Sequence, residues 1–309
     1  MTESQAWPRV AVVGAGAVGG YFGGVMARSG ASVVMIGRPS FVDAVNSKGL
    51  FLDTTQFQEA VRVEASTELS AVRGAEIVLF CVKTTDTDHT ACELVPLLDP
   101  GAVVVSLQNG VDNAERIRSA SGLDAVGAVV YVAAAAKAPG CIQHFGRGDL
   151  VIGPTTERTL RLAAQFERCR VPCRVSDNIE GELWTKFVIN CALNAVSALG
   201  QAKYGRIAAS ADGRKLLESI VDETMEVARA LHLVLPGMED RAAAQAGVMK
   251  IATQMTEQFS STGQDLNRGK RTEIDSLNGY IARRGADLGV PTPVNHTLYT
   301  LVKLLEGQK

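Results

Sequence analysis

The stretch that decides the fold is Arg9-Val-Ala-Val-Val13, which runs directly into Gly14-Ala-Gly16-Ala-Val-Gly19-Gly20. The apolar run is typical of a buried parallel strand, and residues 17–29 predict the helix that follows it. A strand that ends in GxGxxG and continues as a helix is the pattern of a dinucleotide-binding βα unit. The opening of the chain therefore predicts an α/β domain that holds a dinucleotide.

Each glycine of this motif has a mechanical role in the prediction. Gly14 permits the tight turn, Gly16 lets the backbone approach a pyrophosphate, and Gly19 allows the helix to pack closely on the strand. The first helical turn, which contains Ala17 and Val18, then faces the phosphates with its free N–H groups and the positive end of its dipole. We expect these five residues to bind the cofactor.

The composition is that of an ordinary globular protein. The chain has 309 residues, of which 46% are hydrophobic and 21% charged, and its net charge is -2, so we expect two domains and no basic surface for nucleic acid. No apolar run is long enough to cross a membrane, and residues 1–8 lack the apolar stretch of a signal peptide. Six scattered cysteines fit buried free thiols in a reducing cytoplasm and lack metal-ligand spacing. These features predict a cytoplasmic protein without a metal.

Strand patterns alternate with helical patterns through the first half of the chain, which favours a doubly wound parallel sheet of the Rossmann type. Two short alternating segments at 50–53 and 57–64 favour a small hairpin within it. The further strands and helices are expected at Ser32–Ile36, Glu76–Val82, Asp86–Leu98, Ala102–Leu107, Asp124–Val132, Cys141–Phe145, Leu150–Gly153 and Glu157–Cys169.

From about Asn178 the periodicity becomes helical. We therefore predict an α/β plus all-α chain, with a Rossmann-type NADP-binding domain at 1–177 and a helical substrate-binding and catalytic domain at 178–309. The active site is expected in a cleft between the two domains. The long helices are expected at Glu182–Leu199, Gly213–His232, Arg241–Phe259 and Glu273–Leu288.

The residues that follow the parallel strands are informative, because ligands bind outside the carboxyl ends of such strands. An NAD-binding chain usually carries an acid after the second strand to hold the ribose 2′-hydroxyl, whereas this chain has Arg38. A guanidinium suits a 2′-phosphate, which an acid would repel, so Arg38 predicts NADP(H). Lys83 and Asn109 follow later strands and are candidates for the nicotinamide end, and Asn109 is also a candidate for binding the substrate carbonyl. The alternatives are a solvated loop lysine and a turn-forming asparagine.

The helix predicted at 182–199 carries Lys186, Asn190 and Asn194 at positions i, i+4 and i+8, which places them on one face. One interpretation is a solvent face, with Glu182 and Lys186 as a surface ion pair. Asparagine is a modest helix former and a poor core residue without partners, and this helix is otherwise strongly apolar. A polar face that lines a ligand site fits better.

A second constellation of polar residues lies at 260–265 and 271–275. Its local interpretation is the start of a helix, with Thr272 as the N-cap and with Glu273 and Asp275 in the first turn. Its functional interpretation is a catalytic role for Glu273.

Ordered motifs along the whole chain resemble the ketopantoate reductase (2-dehydropantoate 2-reductase) family. The resemblance implies NADPH-dependent reduction of a branched 2-oxo acid, 2-dehydropantoate, to the 2-hydroxy acid pantoate. The motifs are Gly14-Ala-Gly-Ala-Val-Gly-Gly20, Lys83-Thr84, Gln108-Asn-Gly110, His144-Phe-Gly-Arg-Gly148, Trp184-x-Lys186-x3-Asn190-x3-Asn194, Ser260-Ser261-x2-Gln264-Asp265, Arg271-x-Glu273-Ile-Asp275-x2-Asn278-Gly279 and Gly289-Val-Pro-Thr-Pro-Val-Asn295.

The same resemblance implies roles for individual residues. Lys186 would be the general acid, and Glu273 would orient the substrate hydroxyl or balance the lysine. Asn190, Asn194 and Ser261 would hold the substrate. The chemistry suits Lys186, because an ammonium can stabilise the negative charge that hydride transfer creates on a carbonyl oxygen and then deliver a proton.

Two residues depart from the family pattern in the part that recognises the substrate. Tyr204 and Gln258 stand where some members carry asparagines. A dehydrogenase of the same fold that acts on another 2-oxo acid or an imine is therefore the first alternative. A non-enzymatic NADPH sensor is the second, although it would need neither Lys186 nor Glu273. The expected partner is a small-molecule substrate, and a homodimer is one option for the assembly.

Overall fold

The computed structural model describes residues 7–307. Residues 1–6, which belong to the segment predicted to lack a signal peptide, lie outside the described residues, as do 308 and 309 at the end of the predicted helical domain. The chain divides into two compact units, one ending at Ile179 and the other beginning at Glu180. None of the helices within the described part of the chain combines the length and the apolar character that a membrane span requires.

The first unit is a ten-stranded sheet flanked by helices, with strand order β4-β3-β9-β8-β7-β6-β1-β2-β5 and with β10 paired to β9. Its elements are β1 (Arg9–Val13), α1 (Ala17–Arg28), β2 (Ser32–Ile36), α2 (Pro39–Lys48), β3 (Leu50–Asp53), β4 (Gln58–Val61), β5 (Glu64–Ser66), β6 (Ile77–Phe80), α3 (Thr87–Leu94), β7 (Val103–Ser106), α4 (Asn113–Ser121), β8 (Val126–Ala138), β9 (Cys141–Gly153), α5 (Glu157–Arg168) and β10 (Cys173–Val175).

Strand β1 lies at the centre of the parallel part of the sheet, between β2 and β6. Val10 and Val12 belong to one hydrophobic cluster and Ala11 and Val13 to another, so the strand buries both of its faces. Apolar cores on both faces are what helices on both sides of a parallel sheet produce. The predicted Rossmann-type, doubly wound architecture is confirmed.

The sheet is mixed rather than wholly parallel, because β8 and β9 form a long antiparallel hairpin. The turn between them contains Gly140, whose φ is +69°. The segments predicted separately at 141–145 and 150–153 belong to one strand, β9. Register shifts in the β8–β9 ladder absorb the irregular backbone near Gly146 and Arg147, so pairing continues where the sequence suggested a break.

The second unit is helical, as predicted. Its elements are α6 (Ile179–Gly200), α7 (Tyr204–Ala209), α8 (Ala211–Ala230), α9 (Arg241–Gln254), α10 (Ser261–Asn267), α11 (Asn278–Leu288) and α12 (Pro293–Glu306).

The helix predicted at 273–288 is shorter than expected. A 3-10 turn covers Ile274–Ser276, and α11 begins only at Asn278. Leu277, at φ -115° and ψ -109°, separates the two. The Asn278 side chain donates to the main-chain oxygen of Cys191 in α6, a contact that local periodicity does not reveal.

Candidate functional site

The carboxyl ends of four neighbouring parallel strands lie at one edge of the sheet in the first unit. Val13 of β1 pairs with Ile36 of β2 and with Phe80 of β6, and Phe80 pairs with Ser106 of β7. The strand order reverses between β1 and β6, because β2 continues on one side and β7 on the other. Such a switch point is where open α/β sheets bind ligands.

The glycine loop after β1 is hydrogen-bonded to β2 and lies close to the loop after β6. The N–H groups of Gly14 and Ala15 donate to the Ile36 oxygen at 3.1 and 3.0 Å. Gly14 has φ +99°, and a Cβ on it would stand 2.7 Å from the carbonyl carbon of Cys81 and the nitrogen of Val82. Only glycine fits a position that combines this φ with so close a backbone approach.

The other two glycines of the motif meet different surroundings. A Cβ on Gly19 would lie 2.5 Å from the Gly14 oxygen, whereas a Cβ on Gly16 would meet none of the described heavy atoms within 4 Å. Gly16 is exposed and caps α1, and Ala17 and Val18 begin its first turn. The helix N-terminus thus opens onto free space, and the residues present fit the phosphates of a dinucleotide.

Arg38 lies at the carboxyl end of β2, where the sequence predicted it. It is exposed and is the N-cap residue of α2. The four residues that follow β2 are Gly37, Arg38, Pro39 and Ser40, so no acid stands at this strand end.

The loops after β6 and β7 are tied together by a buried glutamine. Gln108 Nε2 donates to the Val82 oxygen (3.0 Å) and to Thr87 Oγ1 (2.8 Å), and Gln108 Oε1 accepts from Ser106 Oγ (3.0 Å). Asn113 Nδ2 donates to the Asn109 oxygen (2.6 Å). These bonds position Lys83 and Asn109, which are both partly buried. Sequence reasoning gave Thr87 and Asn113 no role, because isolated polar residues at helix starts carry no distinguishing pattern.

The polar face of α6 in the second unit is withdrawn from solvent. Lys186 and Asn190 are partly buried, and Asn194 is 5% exposed. Glu182, at 8%, is buried as well. Glu182 therefore does not lie on an exposed solvent face, and the interpretation of this face as a ligand site stays a prediction.

The start of α10 is attached to the C-terminal half of α6. Ser260 Oγ donates to the Asn194 oxygen at 2.9 Å, and the Ser260 N–H donates to Ser197 Oγ at 3.2 Å. Ser260 also caps α10 by accepting from the Gly263 N–H at 3.0 Å. Ser261, the exposed first residue of α10, is thereby held beside the turn of α6 that carries Asn194.

The segment with Glu273 is attached to the middle of α6. Asn278 Nδ2 donates to the Cys191 oxygen at 3.0 Å, and the Tyr280 ring packs edge-on against Phe187 and Trp184. Glu273 is partly buried and directly precedes the 3-10 turn. The second unit thus brings the segments of Ser261 and Glu273 against the helix that carries Lys186, Asn190 and Asn194.

Asp275 is hydrogen-bonded to two residues of α12. Lys303 Nζ and the Tyr299 hydroxyl donate to its carboxylate at 3.0 and 3.1 Å. Burial would raise the pKa of Asp275, but the bonds from Lys303 and Tyr299 outweigh burial and hold the pKa below its ordinary value. The predicted capping role of Thr272 is present in part. Its Oγ1 accepts from the Ile274 N–H, but the element that begins there is the 3-10 turn and not a long helix.

Tyr204 and Gln258, the two departures from the family pattern, are neighbours. The Tyr204 N–H donates to the Gln258 oxygen at 3.0 Å, and the Tyr204 hydroxyl donates to Asn194 Oδ1 at 3.1 Å. Burial raises the pKa of Tyr204, so its hydroxyl is a neutral donor at neutral pH.

Comparison with known proteins gives matches to both units. Residues 10–157 match the family described as "Ketopantoate reductase PanE/ApbA", and residues 178–306 match the domain described as its C-terminal part. A 2-dehydropantoate 2-reductase of Halobacterium salinarum is 31% identical over 96% of this chain and 99% of its own length.

Solved structures agree. A PanE/ApbA family ketopantoate reductase from Ralstonia eutropha JMP134 is 48% identical, with a TM-score of 0.91 over 97% of this chain and 99% of that one. D-mandelate dehydrogenase, solved with NADH and anilino(oxo)acetate, shares the fold at 23% identity, with a TM-score of 0.89 over 97% and 99% of the two chains.

The motifs that suggested the resemblance are thus matched across both units, by sequence and by fold. The chain belongs to the ketopantoate reductase family, a family of nicotinamide-dependent reductases.

Proposed function

We propose that this protein is an NADPH-dependent reductase that converts a branched 2-oxo acid, 2-dehydropantoate in the first instance, into the 2-hydroxy acid. The observation that carries the proposal is the face of α6 on which Lys186 and Asn190 are partly buried and Asn194 is buried, within a largely apolar helix. Full-length relatives named 2-dehydropantoate 2-reductase support the reaction class.

Lys186 is the proposed general acid. The dinucleotide, when bound, supplies the hydride that reduces the carbonyl carbon. Negative charge then develops on the carbonyl oxygen, and an ammonium held there by α6 stabilises that charge and delivers the proton that completes the alcohol.

The neighbouring residues hold the substrate in this proposal. Asn190, Asn194 and Ser261 bind it, because α10 is attached to α6 at Asn194 and carries Ser261 with it. Glu273 orients a substrate hydroxyl or balances the charge of Lys186.

The carboxyl edge of the sheet holds the cofactor in this proposal. Gly14, Gly16, Ala17, Val18 and Gly19 present the backbone that takes the pyrophosphate, since Gly16 opens onto free space at the start of α1.

The edge also orients the two ends of the cofactor. Lys83 and Asn109 stand at the nicotinamide end, held by the bonds of Gln108 and Asn113. Arg38 takes the 2′-phosphate at the other side of the glycine loop.

The reaction is tested with a panel of 2-oxo acids and imines, by following NADPH oxidation. We expect turnover of 2-dehydropantoate. We expect Lys186→Ala to lower kcat about 10²- to 10⁴-fold, as loss of a general acid does, with little change in the Kd for NADPH. Lys250→Ala, an exposed lysine of α9, is the matched control. Normal turnover in Lys186→Ala would reject the assignment, and no turnover across the panel would reject the reductase.

Cofactor preference is tested at Arg38. Arg38→Ala is expected to raise the Kd for NADPH about 10- to 100-fold, because charge-assisted bonds to the 2′-phosphate are lost, and to leave the Kd for NADH nearly unchanged. Arg62→Ala removes an exposed arginine elsewhere in the same unit and is the control. Equal losses for the two cofactors would show that Arg38 does not recognise the phosphate.

A further inference from the structure

Tyr204 and Asn194 form a buried side-chain pair. The Tyr204 hydroxyl donates to Asn194 Oδ1 at 3.1 Å, and the two residues are 7% and 5% exposed. They lie on different helices, α7 and α6, ten positions apart. A buried hydroxyl–amide bond fixes the orientation of both groups, since either one left unpaired would cost about 1–3 kcal/mol.

The backbone around Tyr204 holds the phenol in place. The N–H groups of Tyr204 and Gly205 donate to the oxygens of Gln258 and Thr256 at 3.0 and 3.1 Å. A Cβ on Gly205 would lie 2.7 Å from Thr256 Cβ, so the two segments pack tightly. The segment with Gln258 leads directly into Ser260, which is bonded to the Asn194 oxygen. The phenol therefore has little freedom to turn away from Asn194.

This bond decides which end of the Asn194 amide faces a ligand. Oδ1 accepts the hydrogen bond of the phenol, so Nδ2 is the end of the amide that is left to donate. The reversed amide would leave the phenol hydrogen without an acceptor, because Asn194 Oδ1 is the acceptor that the structure provides for it. Nδ2 is thus held as the donor end of a side chain that is more than nine-tenths buried.

We propose that Tyr204 is a positioning and specificity-determining residue, which turns the donor end of the Asn194 amide toward the ligand. The subsite then takes a group that accepts hydrogen bonds, such as a carboxylate or oxo oxygen. A substrate hydroxyl that has a hydrogen to donate gains no bond from this donor end. With Glu273 balancing Lys186 rather than binding a hydroxyl, the favoured substrate is a branched 2-oxo acid without that hydroxyl. This inference rests on the proposed function, in which Asn194 binds substrate.

Two substrates that differ by one hydroxyl test the inference. The first is 2-dehydropantoate, and the second is 3,3-dimethyl-2-oxobutanoate, which has the same branched skeleton without the hydroxyl. The wild-type protein is expected to reduce the second with a kcat/KM at least equal to that of the first. Tyr204→Phe keeps the ring and removes the donor, which frees Oδ1 and lets the amide turn. We expect its KM for 3,3-dimethyl-2-oxobutanoate to rise about tenfold with kcat within about twofold. The preference then shifts toward 2-dehydropantoate.

Tyr299→Phe is the matched control. It removes another hydroxyl of the same unit, bonded to Asp275 rather than to Asn194, and is expected to leave both KM values unchanged. A fall in kcat without a change in KM, or an unchanged substrate ratio in Tyr204→Phe, would overturn the inference while leaving the reductase in place.

A second readout separates this inference from the reaction itself. The side-chain NH2 signals of Asn194 in the NMR spectrum are identified by their loss in Asn194→Asp. They are expected to shift when 3,3-dimethyl-2-oxobutanoate is added to the wild-type protein and to shift less in Tyr204→Phe. If neither substrate is turned over, the proposed function fails, and the positioning role is judged on these signals alone. Signals that do not respond would overturn it.

Discussion

The sheet edge of the first unit and the α6 face of the second unit are built in different ways. At the edge, strand register aligns four loops, and the groups that we propose to bind the phosphates are backbone N–H groups at the start of α1. On α6, the candidate groups are side chains, and the segments beside them are held by bonds that span 66 and 87 residues of sequence.

The difference separates phosphate binding, which is common to many dinucleotides, from the recognition of a particular substrate. A phosphate accepts hydrogen bonds from any backbone with the correct path, so a glycine loop serves many dinucleotides. Substrate choice depends on which donor or acceptor a side chain presents, and Tyr204, a residue on another helix, orients the Asn194 amide that we propose binds substrate. One hydroxyl can therefore alter the second region, whereas altering the first requires a change of backbone.

The largest effect that sharpens this comparison is expected from Gly14→Ala. The added Cβ meets Cys81 and Val82 backbone at 2.7 Å in a residue with φ +99°, so the free energy of unfolding should fall by about 2–4 kcal/mol. Gly122→Ala is the control, since its φ is +77° but no described heavy atom lies within 4 Å. It should lose only about 1 kcal/mol in denaturant unfolding. Equal losses of unfolding free energy in the two variants would mean that the close backbone approach at Gly14 does not add to the destabilisation.

A smaller effect is expected from Gly16→Ala, which alters binding rather than folding. Its Cβ meets open space, so the free energy of unfolding should change by less than about 0.5 kcal/mol. The Kd for NADPH should rise about tenfold, or about 1.4 kcal/mol, because the methyl group occupies the approach of the pyrophosphate. Gly200→Ala, where the nearest atom is an ordinary contact at 3.8 Å, is the control in calorimetry. An unchanged Kd would place the phosphates elsewhere.

The smallest effect concerns pH and the ion pairs of the second unit. Burial opposes ionisation of Asp275 and Glu306, but their hydrogen bonds hold both carboxyl pKa values below the ordinary range. Their contribution is present above the unfolded pKa of about 4 and is lost as pH falls through the folded value. Lys303→Met removes a cation 3.0 and 2.9 Å from these carboxylates.

The variant should therefore lose less stability than the wild type between neutral and acidic pH. We expect a difference of about 0.5–1 kcal/mol, because the groups are partly exposed and screened. Denaturant unfolding at pH 7 and about pH 3 measures it, with Lys250→Met as the exposed-lysine control. Parallel losses in the two proteins would contradict this account.

The glycine motif illustrates what can be predicted from the sequence. The strand at 9–13 and the helix from Ala17 occur as expected, because a buried apolar run and a glycine turn are local properties. The expected position of Arg38 after β2 follows in the same way. The roles assigned to Arg38, Lys186 and Glu273 stay predictions.

The second unit illustrates where sequence reasoning stops. The helix expected from Glu273 begins at Asn278, because the side chain of Asn278 is bonded to α6, 87 residues earlier. Asp275, which was expected in the first turn of that helix, is instead bound by Lys303 and Tyr299 of α12. The periodicity of the local sequence does not predict contacts between such distant residues.

The sequence by itself determined the fold class and the family of this protein, because helix and strand periods, glycine turns and ordered motifs are written in consecutive residues. Only the tertiary structure decided the orientation of the Asn194 amide and the hydrogen bonds that join the loops after β6 and β7. It also decided that Asp275 is the carboxylate that binds Lys303 of α12. Each of these depends on hydrogen bonds between groups that the folded chain, and not the local sequence, brings within about 3 Å of each other.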